Sequence, residues 1–423
     1  MQQKKINPII QWWVTPKLPY NDIFGLPLLI NKNKRRVLTH LVSHWLIHPI
    51  RRRIAKAYLK LLQKFTDIKV IAVTGSAGKT TTVQMLVSIL SLAGKTTWSK
   101  NSIDPVYNIP NSILKTSIGT KYLVLEMGVE YPGEMDYYLW LAKPDVGVII
   151  NIYPTHTLFF ENIDGVFAEK AKLIKNLKVD DVAVLNIDDR YLKDLGKLTK
   201  SRIIWFGKDS EVTSTDEVIT DDFHTGFNLI FNNEIEDKVY IDLNITGKQF
   251  IQNALAASAA AKVFGVNLKE IKRGLESFQS QDHRMKIVKH KSGAVIVDDS
   301  YNNNPEAAKA TLSTFNNLSK DRKKMIVFGD MLELGDLEPE YHKDMGEFIG
   351  KLKVDRLICV GKAAGVTADS AAKIIGADHV FFVPHWKDAI PILESDLNDK
   401  VMVLVKGSRS IGLNNLVDQI SSF

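Results

Sequence analysis

The stretch from Val73 to Thr82 reads Val-Thr-Gly-Ser-Ala-Gly-Lys-Thr-Thr-Thr, between an apolar run at 68–73 and an amphipathic run at 83–93. Strand, glycine turn and helix in that order make a phosphate-binding unit of a parallel sheet, and no other feature restricts the fold as strongly. Gly75 and Gly78 let backbone N–H groups approach phosphate oxygens, and the helix N-terminus behind them adds partial positive charge. Lys79 would then neutralise the β- and γ-phosphates and Thr80 would hold Mg²⁺. Gly75, Ser76, Ala77, Gly78, Lys79, Thr80 and Thr81 are therefore the expected nucleotide contacts. The loop is shorter than the usual G-x-x-x-x-G-K-[ST] pattern, whose first glycine would fall on Val73.

From Asp67 on, short apolar runs alternate with amphipathic ones, which predicts an α/β fold with a mostly parallel sheet and helices on both faces. Strands are expected at 68–73, 122–126, 146–150, 182–185 and 203–205, a β-rich excursion at 211–245, and closing helices at 247–264 and 267–278. The polar Gln-Ser-Gln-Asp at 279–282 marks a boundary. A second alternating set follows, with strands near 294–298, 324–328, 356–360, 380–383 and 401–405. The expected organisation is an arm at 1–66, a central ATP-binding domain at 67–279 and a smaller doubly wound domain at 280–423.

Charge separates the arm from the rest. Residues 1–66 carry 13 Lys or Arg against the single acid Asp22, whereas the remainder carries 42 basic against 47 acidic residues. With Trp12, Trp13 and Trp45 among cations and apolar residues from Val37 to Leu62, three readings stand open: an interfacial helix on anionic lipid, a basic patch for an anionic substrate or nucleic acid, and a helical strap packed on the body. The single Cys359 lies in an apolar run and forms no internal disulfide; no stretch is long and apolar enough to span a membrane. A cytoplasmic protein, peripheral at most, is expected.

Further motifs follow strands or open helices. Glu126 ends the strand at 122–126, and His156 closes Asn-Ile-Tyr-Pro-Thr-His after the next strand. Ala168-Glu-Lys-Ala-Lys172 lies on a predicted helix, and Gly247-Lys-Gln-Phe-Ile-Gln-Asn253 opens another. Then come Asp282-His-Arg284-Met, Asp298-Asp299-Ser-Tyr-Asn-Asn-Asn304-Pro305, Gly329-Asp-Met-Leu-Glu-Leu-Gly335 with His342 beyond it, and Val405-Lys-Gly-Ser-Arg409. Taken singly, each has a bland reading: a solvated loop acid, a structural histidine, a charged helix face.

Taken in order, the set resembles the Mur ligase superfamily, ATP-dependent amide ligases of cell-wall peptide, folate and cyanophycin assembly. The C-terminal motifs resemble the branch that adds D-alanyl-D-alanine to a muramyl tripeptide. The resemblance covers about residues 68–423 and implies that Thr80, Glu126, His156 and a carbamylated Lys172 surround Mg²⁺. It also implies that Asn253 meets adenine, where the family has histidine at the position of Gln249, and that Arg284 and Asp299 reach ATP from the second domain. A carbamylated lysine is an anion that can face Mg²⁺, which a bare ammonium opposes. The implied reaction makes an acyl phosphate from a peptide carboxylate and ATP and passes the acyl group to an amine, with Lys79, His156 and Lys172 as its catalytic residues. Residues 1–66 do not resemble the UDP-sugar domain with which that branch begins. A monomer without nucleic acid is expected. Folylpolyglutamate-, cyanophycin- or pseudomurein-type acceptors and a membrane-associated P-loop ATPase are the alternatives.

Overall fold

The structure, a computed structural model, describes residues 47–99, 104–155, 157–232, 238–280, 282–319 and 321–421. Trp12, Trp13, Trp45, the cations at 32–36 and His156 lie outside the described residues.

The first described helix, α1 (His48–Phe65), starts with Pro49 in its first turn, where a missing N–H costs nothing. It buries Ala55, Leu59 and Leu62 in one apolar cluster with Ile109, Ile113 and Tyr138. Its Arg52 is buried with the guanidinium 5.8 Å from the centre of the Tyr137 ring. Residues 48–65 thus pack on the central domain, the strap among the three readings open for the arm: apolar packing on one helix face accommodates the run of basic residues.

The phosphate-loop unit follows as β1 (Lys69–Thr74) and α2 (Lys79–Ala93). Strand β2 (Thr96–Trp98) leads to α3 (Pro105–Lys115), capped by Asp104, whose side chain accepts the Val106 N–H. After β3 (Tyr122–Glu126) come α4 (Glu134–Leu141), β4 (Val146–Ile149), α5 (Ile163–Lys175), β5 (Val182–Asn186) and β6 (Arg202–Phe206). The excursion is antiparallel: β7 (Val212–Ile219), β8 (Thr225–Phe231) and β9 (Lys238–Leu243). Among the described residues these form one sheet in the order β2-β3-β1-β4-β5-β6-β7-β8-β9. Its core is continuous Val, Ile and Leu, as a sheet covered on both faces requires. The alanine-rich α6 (Gln249–Lys262) and α7 (Leu268–Glu276) pack on α2.

The second sheet runs β10-β11-β15-β12-β13-β14, from β10 (Lys286–Lys289), β11 (Val295–Asp299), β12 (Lys323–Gly329), β13 (Arg356–Val360), β14 (Val380–Val383) and β15 (Val401–Lys406). Among the described residues only β10 pairs antiparallel in this sheet. Helix α8 (Pro305–Leu318) starts at Asn304, whose side chain accepts the Ala307 N–H. In each sheet the residues at the carboxyl ends of parallel strands, Thr74 and Glu126 in one and Asp299 and Lys406 in the other, line or border one cleft, as open α/β sheets dictate.

Candidate active site

The cleft, about 850 Å³, is lined from one side by the loop at 76–81 and from the other by Arg284, Asp299, Tyr301 and Lys406. The loop is held from beneath by residues 151–153: the Ser76 N–H donates to the Asn151 carbonyl (3.1 Å), the Ala77 N–H to Asn151 Oδ1 (2.9 Å), and Ser76 Oγ to the Tyr153 carbonyl (2.9 Å). Gly78 has φ 80°, and a Cβ there would overlap Asn253 Oδ1. Glycine is therefore required by conformation and by space. This contact places the buried Asn253 against the loop itself, within the cleft lining.

Lys79 Nζ donates to the Gly75 carbonyl (2.9 Å). Burial, with Arg284 adding like charge, holds the Lys79 amine below the usual lysine range against the pull of Glu126 and Glu130. An anion arriving between Lys79 and Arg284 would relieve both effects. Thr80 Oγ1 lies 3.1 Å from Glu126 Oε1, so two hard oxygen donors sit side by side where the loop meets β3. The carboxylate's backbone is fixed by Ser99 Oγ, which accepts the Glu126 N–H (2.7 Å).

Helix α5 separates the two lysines of its motif. Lys172 is about one-third exposed and is paired with Asp136 (2.7 Å) and Glu169 (2.8 Å). Partial burial pulls its pKa down, but those two hydrogen bonds outweigh it and raise the pKa, so the amine stays protonated. Neither Lys172 nor Lys170 is among the residues lining the cleft; the two differ in burial and in their partners. Lys170 is 1 % exposed, and burial pushes its pKa well below the lysine range; Lys79 adds to the shift, while Glu134 and Glu169 oppose it. A neutral buried amine is the form that reacts with CO₂. The pattern that marks Lys170 was present in the sequence: it stands four residues after Val166 and four before Ile174, both buried on the inner face of α5.

The second domain contributes its groups from distant parts of the chain. His283 takes a left-handed backbone (φ 63°), its Nδ1 lies 2.7 Å from the buried Asp298 Oδ2, and its carbonyl accepts the Tyr301 N–H. This turn sets Arg284 over the Tyr301 ring at 4.2 Å, with Arg409 5.0 Å from the same ring centre. Arg284 Nε is buried and has no hydrogen-bond partner among the described residues. A buried guanidinium N–H left in that state is suited to an anionic ligand. Asp299 Oδ2 accepts from Lys406 Nζ (2.6 Å) and Thr311 Oγ1 (2.7 Å), and Lys406 also donates to the Asn302 carbonyl. The Lys406 pairing, the Tyr301 stack and the Asn151 clasp were missed in the sequence because each joins residues far apart in the chain. Gln249 accepts from Thr314 Oγ1 (3.0 Å) and joins the two domains at the cleft.

The donor set fits ATP and Mg²⁺: a backbone cradle, two cations from opposite walls and the Thr80–Glu126 oxygen pair.

Comparison with known proteins agrees with this geometry. The family described as Mur ligase middle domain matches residues 73–261, and that described as Mur ligase, glutamate ligase domain, matches residues 283–409. The UDP-N-acetylmuramoyl-tripeptide–D-alanyl-D-alanine ligase of Bacillus subtilis (strain 168) is 32% identical over 368 residues, 87% of this chain and 78% of the relative. A crystal structure of MurF from Acinetobacter baumannii superposes with a TM-score of 0.79 at 27% identity, covering 89% of this chain and 81% of that one. The fold is shared with MurF ligase from Thermotoga maritima, solved in complex with ADP, at a TM-score of 0.75 and 24% identity over 89% of this chain and 83% of that one.

Proposed function

Since this chain belongs to the Mur ligase family and is an ATP-dependent peptide ligase, we propose that it joins D-alanyl-D-alanine to a muramyl tripeptide in peptidoglycan precursor synthesis. The observation that carries the reading is the pairing of Lys79 with Arg284 across the cleft, two cations from different domains facing one space beside the Thr80–Glu126 pair.

In the proposed reaction the tripeptide carboxylate attacks the γ-phosphorus of ATP, the bond to the β-phosphate oxygen breaks, and ADP leaves with that electron pair. The dipeptide amine then attacks the acyl carbon, loses a proton, and the carbon–oxygen bond to phosphate breaks. No side chain has to be a nucleophile. The protein holds the reactants in line and offsets charge that builds on the transferring phosphoryl group. Loop N–H groups and Lys79 meet the phosphates from one wall, and Arg284 from the other, with Asp299 at the edge of the nucleotide. Asn253, seated against the loop, is its partner for the adenine edge.

Mg²⁺, when bound, neutralises phosphate charge; Thr80 and Glu126 would hold it, with His156 as a further ligand. We assign the carbamylated lysine to Lys170 instead of Lys172, since it is the buried and neutral amine of the pair. Its anion would offset the cationic crowding around Lys79. We place the work in the cytoplasm, in a single copy of the chain, against the inner face of an anionic membrane; the basic excess of residues 1–66 supports that placement.

The test is ATP turnover with each substrate omitted in turn. Release of ADP and phosphate should require both the muramyl tripeptide and D-alanyl-D-alanine, and product mass should show one new amide. Hydrolysis that ignores both substrates, or turnover with a folate or cyanophycin acceptor in their place, would refute the reading.

A further inference from the structure

Helix α1 has two apolar faces. The inner one carries Ala55, Leu59 and Leu62 into the core. On the outer one Ile47, Ile50, Ile54, Leu61 and Phe65 follow at steps of three, four, seven and four residues, so helical periodicity sets them on one stripe. Their exposures are 44, 46, 54, 54 and 73%. A strap helix needs one apolar stripe to hold it, and a second in water opposes solubility unless something covers it.

Charge beside the stripe says what the cover is. Exposed Arg51 borders it on one side and exposed Lys60 and Lys64 on the other, and no acidic residue occurs from Ile47 to Thr66. At the far end of the helix a cavity is rimmed by Lys56, Lys60, Lys69, Lys143 and Lys178, with Lys56 Nζ 3.8 Å from the centre of the Trp140 ring. Of the acids in that cavity, Asp145 accepts the Val70 N–H and Asp181 the Lys178 N–H, while Asp67 is exposed. A polyanion such as nucleic acid would satisfy the lysines and leave the isoleucines, Leu61 and Phe65 in water. A second copy of this face would set cations against cations.

We propose that the outer face of α1 docks on an anionic lipid bilayer, the apolar stripe entering the interface and the flanking Arg51, Lys60 and Lys64 meeting the headgroups. This rests on the peripheral placement given above and names the surface that makes it. The stripe starts beside the cleft: His48 Nε2 lies 3.1 Å from the Val106 carbonyl, and the adjoining Asp104 and Asn108 line the cleft.

The full chain should co-sediment with vesicles of phosphatidylcholine mixed with phosphatidylglycerol and not with phosphatidylcholine alone. Binding should weaken as salt brings the Debye length toward about 8 Å. Lys60→Glu with Lys64→Glu should lower partitioning by about fivefold or more for each charge. Ile54→Ser with Leu61→Ser should lower it at low salt, where charge attraction is at its strongest. Both variants should keep the wild-type thermal melt and ATP binding. Absent or headgroup-independent binding would overturn the proposal and the peripheral placement together. Anionic binding unchanged in both variants would overturn this surface alone and move the contact to residues before 47. A vesicle-free dimer that Ile54→Ser with Leu61→Ser dissolves would make a second copy the occupant and overturn it as well.

Discussion

The two walls of the cleft are built by different means. The central-domain wall is local: residues 75–81 are consecutive, and backbone groups, two glycines at positive φ and a helix start do most of the work. The wall from the second domain is assembled from residues 284, 299, 301, 406 and 409, which meet because β11 and β15 are neighbours in the sheet and His283 turns the chain. A local wall can lose a side chain and keep its shape, whereas an assembled one loses shape and chemistry together.

The sharpest test of the local wall is Lys79→Ala. Among the described residues its Nζ donates to the loop carbonyls of Gly75 and Ser76, so the melt should change little, while turnover should fall by about 10³-fold through lost stabilisation of phosphoryl charge. Near-normal ATP consumption in a folded Lys79→Ala protein would remove the loop from the phosphate site.

Next in size is the choice within α5. Lys170→Met should cost about 10²-fold in activity, and acetate should restore part of it in Lys170→Ala by supplying an anion. Lys172→Met should lose far less activity, because the amine it removes is paired with Asp136 and Glu169 and is no part of the cleft lining, although the buried Glu169 then loses a partner. The two also differ in stability against pH. Lys170 binds its proton more weakly folded than unfolded, so between its lowered pKa and the ordinary 10.5 the unfolded chain holds the extra proton and this group's contribution to stability rises with pH. Methionine at 170 should flatten that rise in a thermal-melt series. Equal activity losses at 170 and 172 would void the assignment.

The assembled wall should respond in stability first. Lys406 is nearly fully buried on Asp299, so Lys406→Met leaves a carboxylate with Thr311 as its remaining side-chain donor and should cost about 3 kcal/mol. Lys406→Met combined with Asp299→Leu should cost less than Lys406→Met alone, since neither charge is then stranded. A double variant as weak as the sum of the singles would show that the pair is not what holds the wall.

This contrast also explains what could be read from sequence. Strands at 122–126, 356–360 and 380–383 fall on the expected residues, since buried parallel strands are unbroken apolar runs. Thr80 of the loop lies beside Glu126 because the motif is local and both stand at the carboxyl edge of neighbouring strands. The three-residue edge strand β2 is too short to carry a period. Motif position points to Lys172, whereas helical phase sets Lys170 on the buried inner face of α5. The basic residues of α1 concealed its packing face, since Arg52 enters the interior and lays its charge over Tyr137.

The smallest expected effect separates the domains by acid. His342 is buried in α9 (Glu338–Lys351), where Nε2 accepts the Met331 N–H (3.0 Å) and Nδ1 lies 2.8 Å from Thr367 Oγ1. Thr367 Oγ1 donates to the His342 carbonyl, so it accepts from Nδ1–H, and the ring is the neutral tautomer. Burial lowers its pKa from 6.5, against the opposing charge of Asp330. With the folded value below the unfolded one, the unfolded chain takes up a proton first as pH falls beneath 6.5, and stability is lost from there down to the folded pKa. The loss from this one group cannot exceed about 1.4 kcal/mol per pH unit. It should appear in melts taken from neutral pH downward as a destabilisation of the second domain, and His342→Asn should remove the slope while lowering stability at neutral pH. If wild type and His342→Asn melt with the same dependence on pH, the acid sensitivity belongs to another group and the Met331 contact holds the ring without coupling it to protons.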